Sequence, residues 1–355
     1  MAAAHPTGTR PDPGMLGGMG QRGNVAVYGA YGHTGRFVVE ELVARGWAPV
    51  LVGRDADRLA KLAAEHPGAV VRVAGVGEPG ELNAAIAGAV AVVNCAGPFA
   101  VTGGPVVEAA LRAGVPYLDV AAEIEANLDT IARYDEPARA AGVVVVPAMA
   151  FFGGLGDLLA TAAMGEWPGA DEITVAYGLS SWAPTEGTRA AGRVSRERRR
   201  GRRIVYAGGE LAYRDGPAPT TEWDFPAPWG RQAVIAEFTM ADSVTIPRHL
   251  ATPEVCTYMT EVAVRDLIDP DLVRPDRDAD QAFVVDVVVR SGTGERRAVA
   301  RGHDIYGFTA PLVVEAMERV LDGRVRGTPA GVLTAGQAFD SADFLATLPV
   351  EVTLP

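Results

Sequence analysis

The chain has 355 residues, of which 48% are hydrophobic and 21% are charged, so its length suits two domains and its composition is that of a folded protein. Its net charge of −12 argues against a general nucleic-acid binder, which needs a basic surface. No apolar run reaches the ~18 residues of a membrane helix, and two cysteines are too few for a disulfide framework or a Cys-based zinc site.

Residues 1–23 are rich in Ala, Pro and Gly and lack the apolar core of a signal peptide, so we expect a disordered tail on a cytoplasmic protein. From residue 24 to about 147, short apolar segments alternate with helical stretches. Such strands, apolar on both faces, imply a parallel sheet covered on both sides. Residues 24–147 are therefore predicted to form a Rossmann-type, doubly wound α/β domain. The predicted strands are 25–28, 50–52, 70–73, 90–94, 117–120 and 143–146, and the predicted helices are 35–45, 55–65, 105–113 and 123–141.

The pattern changes after Pro147, because the next strand-like segments are not each followed by a helix. Residues 148–306 are predicted to form an α+β domain with a largely antiparallel sheet. The Pro-rich stretch 217–228 is predicted to be a loop. Residues 307–355 contain helical segments at 310–321 and 338–345, which we expect to pack back on the first domain. The predicted strands of the second domain are 173–179, 203–206, 233–238, 258–264 and 283–289, and its predicted helices are 155–164 and 187–200.

Three glycines with G-x-x-G-x-x-G spacing connect the first predicted strand to the first predicted helix. Gly29 permits a tight turn out of the strand, Gly32 allows the backbone to approach a pyrophosphate, and Gly35 allows close packing of helix on strand. An ordinary βα loop is the alternative, but the strand–turn–helix context is the one that a dinucleotide site requires. The same loop contributes Tyr31, His33 and Thr34 to the predicted site.

The end of the second strand indicates which dinucleotide is bound. An NAD site normally has Asp or Glu here to bind the ribose hydroxyls, but this chain has Arg54, with Arg58 one helical turn later. Arginines can pair with a 2′-phosphate and stack on adenine, which predicts NADP(H) as the cofactor. The alternative is a surface arginine capped by Asp55.

The fourth strand ends in small residues followed by proline, a pattern that suits a loop lying against the nicotinamide end of the cofactor. Cys95, within this segment, is expected to be a small buried side chain and not a nucleophile. The predicted cofactor contacts of the loop are Asn94, Ala96, Gly97, Pro98 and Phe99.

With these motifs, the sequence resembles the saccharopine dehydrogenase-like NADP-binding oxidoreductases. The resemblance lies in segments 29–36, 53–55, 94–99, 114–119 with Glu123, and 331–338. It implies a Rossmann domain, a second α+β domain, NADP(H) and a homodimer formed through the sheet of the second domain. The family includes enzymes acting on C–N bonds and trans-acting enoyl reductases that serve polyketide-type synthases. Two departures concern the substrate half, since Ala122 replaces a glycine found in many relatives and segment 151–157 lacks their Phe-Asp pair.

Candidate catalytic residues follow the fifth strand, where Asp119 and Glu123 could hold a substrate amine or move a proton and Tyr117 could assist. The alternatives are a helix cap with a first-turn glutamate, and a core tyrosine. The Tyr-x-x-x-Lys pair of short-chain dehydrogenases is absent, because the only lysine, Lys61, has Asp57 four residues before it. The five histidines form no metal-ligand spacing, so no metal is predicted.

An arginine-rich run, 193–203, stands out in an acidic chain. It is either a solvated face or a docking site for an acidic partner, such as a carrier protein bearing the substrate. Together these features predict an NADPH-dependent reductase of a C=N, C=C or C=O bond in a small, biosynthetic molecule. The alternatives are an NADP(H) sensor without turnover, and a redox-neutral isomerase or cyclase that retains its cofactor.

Overall fold

The computed structural model describes residues 22–272, 280–327 and 330–355. The predicted disordered tail therefore lies, apart from its last two residues, outside the described residues. Elements are numbered along the chain, and they form two sheets flanked by helices. Within the described residues, no helix has both the length and the apolarity needed to span a bilayer.

The first sheet is parallel and has seven strands in the order β15-β6-β5-β4-β1-β2-β3. Its strands are β1 (Asn24–Tyr28), β2 (Ala48–Gly53), β3 (Val70–Val73), β4 (Ala91–Asn94), β5 (Tyr117–Asp119), β6 (Val144–Val146) and β15 (Gly331–Val332). The connecting helices are α1 (His33–Ala44), α2 (Ala56–Glu65), α3 (Pro79–Ile86), α4 (Phe99–Ala113) and α5 (Ile124–Ala141). The strand order reverses between β1 and β4, which is where doubly wound folds bind their ligands.

The second sheet is mostly antiparallel, with a main order β10-β11-β12-β7-β13-β14-β16 and one parallel pair, β12 with β7. Its strands are β7 (Glu172–Leu179), β8 (Arg203–Ala207), β9 (Glu210–Arg214), β10 (Thr220–Phe225), β11 (Gly230–Ala236), β12 (Val255–Thr260), β13 (Ala282–Ser291), β14 (Gly294–His303) and β16 (Glu351–Thr353). The β8–β9 hairpin joins it through β12. The predicted combination of a Rossmann-type sheet and a largely antiparallel sheet is confirmed.

The remaining helices pack between and around the sheets. They are α6 (Gly156–Met164), α7 (Glu186–Arg198), α8 (Asp242–Thr245), α9 (Glu261–Ile268), α10 (Ile305–Leu321), α11 (Ala335–Ala338) and α12 (Ser341–Ala346), with short turns at Phe151–Leu155 and Ile246–Arg248. One apolar core runs continuously through both sheets and α6, α10 and α12. The C-terminal segment contributes β15 to the first sheet and β16 to the second, so it ties the two halves together.

Two predicted segments of the second domain are wrong. The strand predicted at 258–264 ends at Thr260, where α9 begins with Glu261, an acidic residue that suits the first turn of a helix. The loop predicted at 217–228 contains β10, because its prolines flank the strand and leave Thr220–Phe225 free to pair with β11. Within β10, Trp223 donates a hydrogen bond from Nε1 to the buried Asp286, at 2.8 Å.

A polar network holds α10 against the end of α1. The Arg45 guanidinium lies 2.7 Å from Glu41, 2.9 Å from Glu315 and 2.8 Å from Glu318. Trp47 also donates a hydrogen bond from Nε1 to Glu318. Burial lowers the pKa of Arg45, but its hydrogen bonds to the three glutamates outweigh this effect and raise the pKa above its ordinary value. The network neutralises charges that α10 would otherwise bury against the first domain.

Candidate functional site

The glycine turn after β1 has the close backbone packing that its spacing predicts. Gly29 has φ +80°, a conformation that side chains rarely adopt, and a Cβ there would lie 2.8 Å from the Cβ of Ala96. A Cβ at Gly35 would overlap the carbonyl oxygen of Gly29. The backbone therefore forms a cradle that any side chain at these positions would fill.

Helix α1 begins directly at this cradle. Its N-cap is Gly32, which has no side chain to cap the helix, and its first turn holds no acidic residue. The positive end of the helix dipole and the first-turn N–H groups are the features that bind a pyrophosphate. Thr34 is half-buried in this turn, whereas the His33 ring packs edge-on against Phe37 and Tyr306, with centroids 5.2 and 5.3 Å apart.

The end of β2 forms a corner with the glycine turn. The Tyr31 ring covers Gly53 so closely that a Cβ there would lie 2.6 Å from Tyr31 Cε1. Arg58 stacks on the outer face of the same ring, 4.4 Å from its centroid, and Arg54 is exposed beside it. Asp55 caps α2 by accepting a hydrogen bond from Arg58 N at 3.0 Å. The corner thus presents an aromatic ring and two cations, which fits an adenosine 2′-phosphate.

The loop after β4 is held by hydrogen bonds from within the first domain. Asn94 accepts from Ala96 N at 3.0 Å and donates from Nδ2 to the hydroxyls of Tyr117 and Thr102. Thr102 in turn donates to the carbonyl oxygen of Ala96, at 2.5 Å. Gly97 and Pro98 join through a cis peptide bond. Burial raises the pKa of the neighbouring Cys95 thiol, which favours its expected role as an inert side chain.

Tyr117 and Asp119, two of the three catalytic candidates, are joined to each other and buried. The Tyr117 hydroxyl donates to Asp119 Oδ2 at 2.9 Å, and Asp119 Oδ1 accepts from the N–H groups of Ala121 and Ala148. Burial raises the pKa of Asp119, and burial together with the Asp119 charge raises the pKa of Tyr117. Tyr117 is thus a buried core residue, whereas Asp119 does not cap α5, whose N-cap is Glu123; the pair connects the ends of β4, β5 and β6.

Glu123, the third candidate, caps a different helix from the one it precedes. It occupies the N-cap position of α5, but its carboxylate accepts from Phe99 N at 2.9 Å and Ala100 N at 3.3 Å, at the start of α4. Burial raises the pKa of Glu123 to about 7, even though both N–H groups favour its charged form. A carboxyl that titrates near neutral pH therefore holds the end of the predicted nicotinamide loop.

The second domain contributes residues to the same loop that sequence reasoning missed. A Cβ on Gly97 would lie 3.8 Å from both Ala191 Cβ and the carbonyl oxygen of Gly187, so the start of α7 rests against the loop. Nearby, the Tyr306 hydroxyl accepts from Trp182 Nε1 at 3.1 Å and lies 2.8 Å from the Thr188 hydroxyl. Because these contacts join residues more than 80 positions apart, no local motif could have indicated them.

A second polar cluster lies at the start of α6. Asp157 does not cap this helix, as its position suggests, but accepts from His249 Nε2 at 2.7 Å and from Gly336 N at 2.8 Å. Tyr177 donates to the buried Asp242, and burial raises the pKa of Asp242 to about 7. No group of three or more metal-ligating side chains occurs in the described part of the chain.

Comparison with known proteins agrees with this geometry. Residues 25–146 match the family model described as the saccharopine dehydrogenase NADP binding domain. Saccharopine dehydrogenase (L-Glu forming) from Saccharomyces cerevisiae, in its apo form, has a TM-score of 0.63 over 94% of this chain and 100% of its own, at 11% identity. That similarity shows a shared fold across both domains.

Curated relatives match about a third of the chain. A probable mitochondrial saccharopine dehydrogenase-like oxidoreductase of Arabidopsis thaliana is 29% identical over 143 residues, which are 36% of this chain and 32% of that protein. A lipid droplet localized protein of Caenorhabditis elegans is 32% identical over 139 residues, with 36% and 33% covered. The match therefore spans about a third of each relative's length. These findings confirm the resemblance to saccharopine dehydrogenase-like oxidoreductases and show that residues 25–146 are similar to the NADP binding domain of saccharopine dehydrogenase.

Proposed function

We propose that this protein is an NADPH-dependent reductase that acts on a C=N, C=C or C=O bond of a small biosynthetic intermediate. The observation that carries the proposal is the corner of Tyr31, Arg54 and Arg58. Its cations replace the acid that would bind the ribose hydroxyls of NAD, and the nearby Asp55 caps α2. A strong preference for the phosphorylated cofactor suits a reductive, biosynthetic reaction.

The residues of the first domain divide the binding of NADP(H) among themselves. The N-terminus of α1 would hold the pyrophosphate, Arg54 and Arg58 the 2′-phosphate, and the segment 96–99 the nicotinamide end. The bound cofactor supplies the hydride, so the protein has to orient the substrate and manage one proton. The start of α7 lies against the same segment, and Thr188 in that part of α7 contacts the Tyr306 hydroxyl, which supports a substrate site between the two sheets.

The three catalytic candidates have different parts in this proposal. Tyr117 and Asp119 are positioning residues, because their hydrogen bonds to each other and to the backbone fix the strand ends under the loop. Glu123 is the candidate for proton handling, since it touches the loop directly and its pKa of about 7 allows both protonation states near neutral pH.

The proposal is tested with NADPH deuterated at the transferable position, incubated with the purified protein and a small-molecule extract of the source organism. Mass spectrometry then searches for metabolites that gain one deuterium. The control is Gly32→Asp, which sets a carboxylate at the pyrophosphate site and should abolish both cofactor binding and label transfer. A labelled metabolite that disappears with the control variant supports a reductase and identifies its substrate class.

Other outcomes would overturn the reductase. Tight NADPH binding without label in any metabolite, including extracts that retain carrier-bound intermediates, would favour a sensor. Turnover of a metabolite without net consumption of NADPH would favour a redox-neutral isomerase or cyclase. Failure to bind NADPH would contradict the cofactor assignment itself.

We also propose a homodimer formed through the second sheet, as the family resemblance implies. Light scattering of the purified protein should give twice the monomer mass of 37.1 kDa, and a monomeric mass would contradict it. The expected cytoplasmic location stays a prediction, because one plant relative is named as mitochondrial and one nematode relative as lipid droplet localized.

A further inference from the structure

Helix α7 has two faces with different surroundings. Its inner face rests on the first domain, where Ser195 donates to Glu125 at 2.6 Å and Arg198 pairs with Asp129 at 2.7 Å. Arg199 also lies on this face, 3.7 Å from Glu125. These arginines of the basic run are therefore committed to holding α7 against α5.

The outer face of α7 and its end carry three further arginines of the basic run, whereas Arg189, earlier in α7, donates to the backbone oxygens of Leu267 and Asp269. Arg193, Arg196 and Arg200 are exposed, and within the described residues none of them has a hydrogen-bond acceptor or an ion-pair partner for its side chain. With Glu197 and Gly201 they line a shallow depression of about 290 Å³. Arg193 and Arg196 lie one turn apart in α7, and Arg200 follows the end of the helix with φ +55°, so these three arginines (the arginine row) surround the depression together with Glu197.

We infer that this row docks the acidic face of a partner protein. Three arginines and one glutamate leave the depression with a net positive charge, and an approaching anionic surface would relieve the repulsion among the arginines. The depression is shallow, so it suits carboxylates on the surface of a partner protein and not an enclosed small ligand. A chain of net charge −12 would otherwise repel such a partner, which makes the row the place of encounter.

Helix α7 connects the proposed docking surface to the proposed active site. The same helix whose outer face carries the row has its first turns against Gly97, in the predicted nicotinamide loop. A docked partner would therefore sit on the helix that packs against this loop. The inference adds a partner to the proposed function but rests on the charge and packing of α7, so it can fail while NADPH binding and reduction persist.

The test compares two triple variants with equal changes in net charge. The first is Arg193→Glu, Arg196→Glu and Arg200→Glu, and the matched control is Arg112→Glu, Arg231→Glu and Arg265→Glu, which reverses exposed arginines elsewhere. The probe is a fluorescein-labelled helical peptide with Glu at positions i, i+3, i+4 and i+7, and its partner peptide carries Gln at those positions. Binding is measured by fluorescence anisotropy at low and physiological salt.

We expect the Glu peptide, but not the Gln peptide, to bind the unmodified protein and the control variant. The α7 variant should bind it about tenfold more weakly or worse, with the difference shrinking as salt rises. An equal loss of affinity for the Glu peptide in both variants would show that only net charge matters and would contradict a specific docking site. Unchanged affinity in the α7 variant would overturn the inference. Displacement of the peptide by low millimolar inorganic phosphate would identify a small-anion site instead. NADPH binding, measured in all three proteins, should be unchanged and reports their folding.

Discussion

Replacing Glu123 by Gln should remove the loss of folding stability that occurs when this buried carboxyl ionises at higher pH. The pKa of Glu123 is raised from its ordinary 4.5 to about 7, so between these values the folded protein binds more protons than the unfolded chain. Stability due to this carboxyl is therefore greatest below pH 4.5 and falls as pH rises through 7. At ~1.4 kcal/mol per pKa unit, the fall is at most about 3 kcal/mol.

The assay is urea unfolding of the wild-type protein and the Glu123→Gln variant at pH 5, 6, 7 and 8. Subtracting one free energy of unfolding from the other cancels every other titrating group, so the difference should shift in favour of the variant by up to about 3 kcal/mol from pH 5 to 8. Thr102→Val is the control, because it removes a non-titrating hydrogen bond to Ala96 in the same loop and its cost should not change with pH. Parallel curves for Glu123→Gln and the wild type would refute the reasoning.

Three further predictions concern cofactor binding and packing. Arg54→Ser and Arg58→Ser should each weaken NADPH binding by about 10–100-fold, measured by calorimetry, while NADH binding changes little, since each loses a charged contact. Gly35→Val should lower the thermal midpoint and abolish NADPH binding, because its Cβ overlaps Gly29 O; retained binding would contradict the cradle. Arg45→Ala should reduce the free energy of unfolding by about 1–3 kcal/mol, because Glu315 and Glu318 of α10 each lose the cationic partner that joins them to α1, whereas Arg265→Ala, at an exposed ion pair, should reduce it by under about 0.5 kcal/mol.

The first domain could be predicted from the sequence because its determinants are local. A parallel strand buried on both faces is a short apolar run, and the glycine turn, the helix and the next strand follow within about 30 residues of each other. The second sheet is different. Strand β14 (Gly294–His303) contains three arginines and was not predicted, because its strand character comes from pairing with β13 and β16 on either side.

The functional site also has parts that are local in the sequence and parts that depend on the fold. The corner of Tyr31, Arg54 and Arg58 belongs to two neighbouring βα turns, so residue type and spacing were enough to predict its chemistry. Glu123 was correctly placed at the start of α5, but its carboxylate caps α4, a contact set by how two crossover helices lie on the sheet. Spacing along one helix carries no information about that neighbour.

The least predictable part of the site is the part that we propose faces the substrate. Tyr306 follows β14, and its hydroxyl joins Trp182 and Thr188, which follow β7, while its ring touches His33 in the glycine turn. These three segments meet only because β13 lies between β7 and β14 in the second sheet and α10 packs on α1. The cofactor half of the site is thus a property of consecutive residues, whereas the substrate half exists only in the folded chain. The family model covers residues 25–146 alone, so this similarity indicates the cofactor and leaves the substrate to be found by experiment.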